Sequence, residues 1–346
     1  MQTAIHPFPD RRAAPQLSGP RERRVAAPGG LGFGLVAERR IAGSRRAPHD
    51  PAQGPRLVGP VGPRAAAPAE RPRAAPADTN PLAHDARIAS LSSYLGLRGG
   101  RLARLAPTDR AEPGAAATAA DEPGAIEAQV HAQLLDKVLG EGFPCVGARS
   151  AFNRAGYRFG VYPALGCPAS AAAVVHDLYE FSREFADPGE RFATFMAVFR
   201  APAIADEEHY ERTMWTHLQR MHEIDARHFG WSEAVSSDPE DPRFSFSIGA
   251  RPFFVVGLNP AASRAARRTP WPMLVFNLHE QFERLRARGK YEPLKDAIRA
   301  RDLAYQGSIN PVLAGFGERS ETRQYSGRAV GDDWRCPFRT VDRDAA

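Results

Sequence analysis

Residues 1 to about 124 carry 17 of the chain's 31 prolines and 18 arginines, no lysine, and only three aromatics, Phe8, Phe33 and Tyr94. A stretch such as GPRLVGPVGPRAAAPAERPRAAPAD (54–78) cannot bury enough apolar surface to offset the ordering entropy of its backbone. The composition therefore predicts a disordered Arg/Pro/Ala-rich extension over 1–124, with at most a short helix near HDARIASLSSYLGL (84–97). One domain is expected over 125–340.

The charge follows the same boundary. The extension holds 18 Arg against 11 Asp plus Glu, a balance of +7; the other 222 residues hold 28 basic and 29 acidic side chains, a balance of −1. The total of +6 thus belongs to the extension, and the folding part has no charge reason to bind nucleic acid. An Arg-rich arm touching a polyanion is one use for the extension. Arg outnumbers Lys by 43 to 3, so a low-complexity product of GC-rich coding is the plainer one. There is no run of 18 apolar residues and no secretion signal pattern. Cys145, Cys167 and Cys336 form neither an even disulfide framework nor a C-x-x-C pair. The expectation is a reduced, cytoplasmic protein off the membrane.

Beyond residue 125 the patterns become regular. Helices are predicted over 126–140, 170–187, 206–229, 278–289 and 292–306, and strands over 157–163, 191–200, 244–249, 251–260 and 273–277. Gly249 and Ala250 alone separate two of the strands, which is hairpin spacing. Hairpins mixed with helix crossovers indicate one α+β domain whose sheet is mixed or antiparallel and flanked by helices. Neither a G-x-G-x-x-G nor a G-x-x-x-x-G-K-[ST] motif is present, so dinucleotide and P-loop chemistry lack support.

His222 shares a helical stripe with Trp215, Leu218 and Phe229. An imidazole among such residues suits a haem iron, and equally a core histidine bonded to a carbonyl, the commoner outcome. His279, in FNLHEQF, falls in a first helical turn if Asn277 and Glu280 form a capping box. There the helix dipole keeps the ring neutral for metal or proton transfer, although an ordinary first-turn residue fits too. Cys145 follows Phe143-Pro144, near Arg149, which would lower its pKa; it reads either as a haem thiolate or as an inert buried thiol. GLNPAASRAARR (257–268) places Arg264, Arg267 and Arg268 beside a turn, as an anion site such as one for haem propionates would, or as plain surface arginines. Gln306, Asn310, Gln324, Tyr325, Ser326 and Arg328 form a polar, loop-rich tail of the kind that lines pockets.

GFPCVGARSAF, YRFGVYP, the run from VSSDPEDPRFSFSIG through FNLHEQFERLR, AYQGSINPVLAGFG and ETRQYSGRAVGDDWRCPF occur in order, and over about 127–338 the chain resembles the YqcI/YcgG family. The nearest branch is similar to a haem-dependent N-hydroxylase of guanitoxin biosynthesis. The resemblance implies b-type haem with its iron, dioxygen as co-substrate, an external electron donor, and N-hydroxylation of a small guanidino substrate. Under it the iron ligand is sought in the order His222, Cys145, His279. Glu280, with Asp225 and Glu223, is the carboxylate expected near the histidines, and Arg264 and Arg267 are expected to hold the cofactor. A homodimer is left open. Two other classes compete: a non-catalytic haem-binding or redox-sensing protein, and a haem-free binding module or hydrolase built on the arginine cluster.

Overall fold

The computed structural model describes residues 79–105, 122–312 and 314–341. Seven strands form one mixed sheet in the order β2-β1-β3-β4-β7-β6-β5: β1 (Leu95–Arg98), β2 (Arg101–Arg104), β3 (Tyr157–Ala164), β4 (Thr194–Ala201), β5 (Phe246–Ile248), β6 (Arg251–Leu258) and β7 (Met273–Leu278). Only β3 and β4 run parallel, because the long helix α4 (Pro168–Glu184) carries the chain across between them. The expectation of an α+β fold with a mixed sheet is met.

Period-two alternation builds two cores. In β4, Phe195, Ala197 and Phe199 enter one core, while Met196 and Val198 enter the other. In β7, Leu274, Phe276 and Leu278 oppose Met273 and Val275 in the same way. The first core is closed by α4 and α5 (Glu207–Asp225), the second by α2 (Ala125–Leu139) and α3 (Val146–Asn153). β5 and β6 join through Gly249 and Ala250, both at positive φ (64° and 55°), as the tight turn expected there requires.

One expectation needs correction. Residues 79–105, placed in the disordered extension, carry helix α1 (Ala86–Ala89) and the β1–β2 hairpin, which lies against β3 at the pairing Leu95↔Phe159. Gly99 and Gly100, at φ of 56° and 78°, form its turn. Leu82, Tyr94 and Leu95 are buried, and four hydrogen bonds tie the segment to acids of α4, one of them from the Ser92 hydroxyl to Asp177. Asn80 Nδ2 donates to Glu180 at 2.8 Å, the Ser93 N–H to Asp177 at 3.0 Å, and the Tyr94 hydroxyl to Glu184 at 2.6 Å. The low hydrophobicity of the surrounding sequence hides this short segment when composition is averaged. The rest of the expected extension lies outside the described residues. No helix among the described residues is long and apolar enough to cross a membrane.

Candidate active site

On the α2–α3 side, the sheet face forms the floor of a cavity of about 340 Å³. Strand register sets the floor in rows: Thr194, Asn277 and Phe254; then Met196, Val275 and Val256; then Met273 and Leu258. Rows two residues apart on three adjacent strands make a plate of roughly 13 by 10 Å at standard strand spacings. Gly147, Ala148 and Ala151 of α3 bring small side chains to one wall. Helix α7 (Tyr291–Gln306) supplies another through Tyr291, Leu294, Lys295, Ile298, Arg299 and Asp302, a stripe spaced by three and four residues.

Cys145, His279, Arg264 and Arg267 all line this cavity. Cys145 is the N-cap of α3, and its Sγ accepts the Ala148 N–H at a long 3.4 Å. Burial pushes its thiol pKa up, against the Ala148 and Gly147 amides and the Arg267 charge. Arg149 does not contribute. Its guanidinium caps the end of α2 through the carbonyls of Val138, Leu139 and Gly140. Cys167 caps α4 and Cys336 is buried in the other core, so of the three cysteines only Cys145 reaches the cavity.

His279 opens α6 (His279–Ala287), as expected, but the N-cap is Leu278. Asn277 instead donates to the Phe254 carbonyl at 3.2 Å across the floor, so there is no Asn277–Glu280 capping box. The His279 ring is buried, lies edge-on to Phe316 with centroids 4.5 Å apart, and has Nε2 3.2 Å from Glu283. Burial lowers its pKa and keeps the ring neutral, with Glu283 opposing.

Arg264 and Arg267 line the cavity, but their guanidinium groups are already bonded within the protein. Arg264 binds Asp302 at 2.6 Å and both Ser308 oxygens, while Arg267 binds the carbonyls of Gly257, Tyr325 and Gln324, each at 3.0 Å. Burial brings the Arg267 pKa down to about 10, so it stays cationic at neutral pH. Both arginines staple loops; the expected open anion site is absent there. Arg286, Lys295 and Arg299 bring further positive charge to the lining. Arg299 has no ion-pair partner among the described residues, whereas Arg286 pairs with Glu283 and Lys295 with Glu292.

His222 lies in the opposite core, against Trp231 and Phe338, and Nε2 accepts the Val341 N–H at 2.9 Å. Burial lowers its pKa to about 4. It does not line the cavity, which corrects its place as first candidate for iron: the apolar stripe of α5 points to a solid core. Glu280 is also away from the cavity, paired with Arg251 and Arg284. Asp225 is buried under the Tyr179 hydroxyl and the Gly249 N–H, and Glu223 bonds Gln219 on the surface. In the tail, Asn310 and Gln324 reach the cavity, but Ser326 and Arg328 bind Glu211 instead. Sequence reasoning missed Glu321, Asn277 as a lining residue, and the α7 stripe. The stripe was legible as helical spacing; Glu321, in a loop-rich tail, carries no periodic signal.

The YqcI/YcgG family profile matches residues 134–339, more than half of the chain. The chain belongs to the YqcI/YcgG family. It is similar to YcgG of Bacillus subtilis (strain 168), an uncharacterised member of the same name, 28% identical over 222 residues that cover 60% of this chain and 85% of YcgG. It is also similar to DcsA of Streptomyces lavendulae, provisionally named an N(omega)-hydroxy-L-arginine synthase. That match is 27% identical over 156 residues, 43% of this chain and 58% of DcsA. No solved structure matches the chain. The matched region begins within α2 and holds every cavity-lining residue singled out above, which ties the YqcI/YcgG likeness to the site itself.

Proposed function

We propose that this YqcI/YcgG protein is a haem-dependent oxygenase that N-hydroxylates a guanidino nitrogen of a small arginine-like molecule. The observation that carries the reading is Cys145, a helix N-cap thiol facing an apolar slot with one weak backbone donor on its sulfur. Burial raises the Cys145 thiol pKa; the Ala148 and Gly147 amides at the start of α3 and the Arg267 charge oppose that rise only in part, so bound iron would itself have to displace the thiol proton. The flat floor of Met196, Val275 and Val256 suits a planar macrocycle, and Arg299, which has no ion-pair partner among the described residues, suits one of its carboxylates. The name of DcsA supports arginine-type chemistry.

Haem held through Cys145 would supply the oxidising power to hydroxylate a nitrogen, with dioxygen as oxidant, an electron pair and two protons from outside, and water as the second product. The protein's own part is to exclude solvent and to position the substrate. Neutral His279 offers a ring nitrogen that can accept or return a proton at the cavity wall.

The test is an absorption spectrum of the purified full-length chain after haem supplementation, then reduced under carbon monoxide. A far-red-shifted carbon monoxide band that is lost in Cys145→Ser is expected. No Soret band would sink the reading, and an unshifted band would transfer the iron to His279. Bound haem with no hydroxylated product from any guanidine, given oxygen and reductant, would leave a non-catalytic haem-binding protein.

A further inference from the structure

We infer that Glu321, together with Asn277, is the receptor for the substrate's guanidinium group. This deepens the reading above and rests on its guanidino substrate.

Glu321 is 4% exposed and lines the cavity. Its Oε2 contacts the Ser245 hydroxyl and the Tyr325 hydroxyl, each at 3.1 Å, while Oε1 has no hydrogen-bond partner among the described residues. Asn277 is fixed by its own amide. Nδ2 donates to the Phe254 carbonyl, which leaves Oδ1 without a partner on the cavity floor. Both are acceptors with no bonded donor. Ser245 also contacts the Phe253 carbonyl at 3.1 Å, and Phe253 pairs with Leu278, the residue before His279. Glu321, Asn277 and His279 therefore share one end of the cavity.

The ligand best matched to two free acceptors is a group that only donates. A guanidinium carries five N–H donors in a planar fork and no acceptor, and it delivers the charge that a buried carboxylate lacks. The rings of Phe254 and Phe282, edge-on with centroids 6.1 Å apart, line the same end and offer faces to a planar cation.

The charges facing Glu321 leave room for it. Glu283 and Arg286 of α6 pair with each other, His279 is neutral, and Tyr325 of α8 (Thr322–Tyr325) is a phenol pushed well above its ordinary range by burial. No cation is bonded to Glu321. The Ser245 hydroxyl has one hydrogen for two acceptors, Phe253 O and Glu321 Oε2, so both contacts are hydrogen bonds only when Glu321 carries a proton. Burial indeed raises its pKa to about 8. An arriving guanidinium takes the place of that proton.

The experiment is calorimetric titration of the haem-loaded, full-length protein with L-arginine and with citrulline, its neutral ureido counterpart, comparing wild type with Glu321→Gln. Expected is binding of arginine but not citrulline by wild type, weakened about 100-fold in Glu321→Gln with the haem spectrum unchanged. Equal arginine affinity in the variant, or equal affinity of wild type for citrulline, overturns this inference and leaves the oxygenase reading standing. No binding of any guanidine by wild type overturns both. Wild type alone gives a second readout near pH 7, where buffers of different ionisation heat report release of about one proton per arginine bound; no release overturns the inference even if the variant fails to fold.

Discussion

Glu280 pairs with Arg251, whose guanidinium also binds α4, while its neighbour His279 lines the cavity, so two adjacent residues at the start of α6 face opposite ways. Arg251 is almost fully buried and also donates to the carbonyls of Ser182 and Phe185. Glu280→Gln removes the charge partner but leaves those carbonyls. The expected cost is about 1–2 kcal/mol of unfolding free energy, discounted because Glu280 is partly exposed, with activity per folded molecule unchanged. Urea denaturation beside a turnover assay checks this; full stability with lost turnover would return Glu280 to the reaction.

His222 sits in the first core, away from the cavity, with Nδ1 buried and without a hydrogen-bond partner among the described residues. His222→Ala leaves its aromatic neighbours, Trp231 and Phe338, around a void and strands the Val341 N–H. A loss of about 2–4 kcal/mol is expected. The haem spectrum of the surviving folded fraction should match wild type; a displaced Soret band would reinstate His222 as ligand.

A chain that begins at Glu122 loses the hairpin and leaves Asp177 and Glu180 of α4 without Ser93 and Asn80. A loss of roughly 3–5 kcal/mol follows from removing donors to buried carboxylates that keep Tyr162, His176 and Arg183, and from stripping Leu82, Tyr94 and Leu95 off the first core and β3. A chain that begins at Thr79 keeps all of these contacts. Thermal melts of the two truncations should differ widely; matching melts would mean the hairpin adds nothing.

Burial raises the pKa of Glu321 to about 8 and that of Asp225 to about 7. In the unfolded chain both ionise near pH 4. Between those limits the folded state binds more protons than the unfolded one, so stability falls as pH rises from about 4 to about 8. The size is of order a few kcal/mol for the two together. Urea midpoints at pH 5.5 and 8.5 should differ less in Asp225→Asn with Glu321→Gln than in wild type. An unchanged pH slope would remove these carboxyls as its cause.

Val275 stands mid-floor between Met196 and Val256. Val275→Phe adds bulk to open space, so the melting temperature should hold while haem affinity drops at least tenfold, read by titration of the Soret band. Undiminished haem binding would move the cofactor elsewhere.

Sequence periodicity was enough to assign strands 3 to 7 and the long helices, since alternation and the three-four spacing are local consequences of side-chain direction. Residue chemistry in short motifs brought Cys145, His279, Arg264 and Arg267 forward as candidates, and all four line the cavity. The β1–β2 hairpin was written as Gly99-Gly100 between alternating residues, but a short signal inside a Pro- and Arg-rich stretch is lost to averaging.

Which of the candidates faces open space was decided only in three dimensions. An apolar stripe looks the same around a cofactor as around a filled core, so His222 could not be separated from a ligand until Trp231, Phe338 and Val341 closed around it. Glu321 and Asn277 are distant in sequence, yet the register of β6 with β7 and the Ser245 contact bring them to one end of one cavity. The α+β class, the element order and the YqcI/YcgG motifs could be read from local pattern, since side-chain direction and motif spacing are short-range properties. Only the folded chain shows which side chains are consumed by partners in the core and which keep a free acceptor toward the cavity, because hydrogen bonding across distant segments has no local signature.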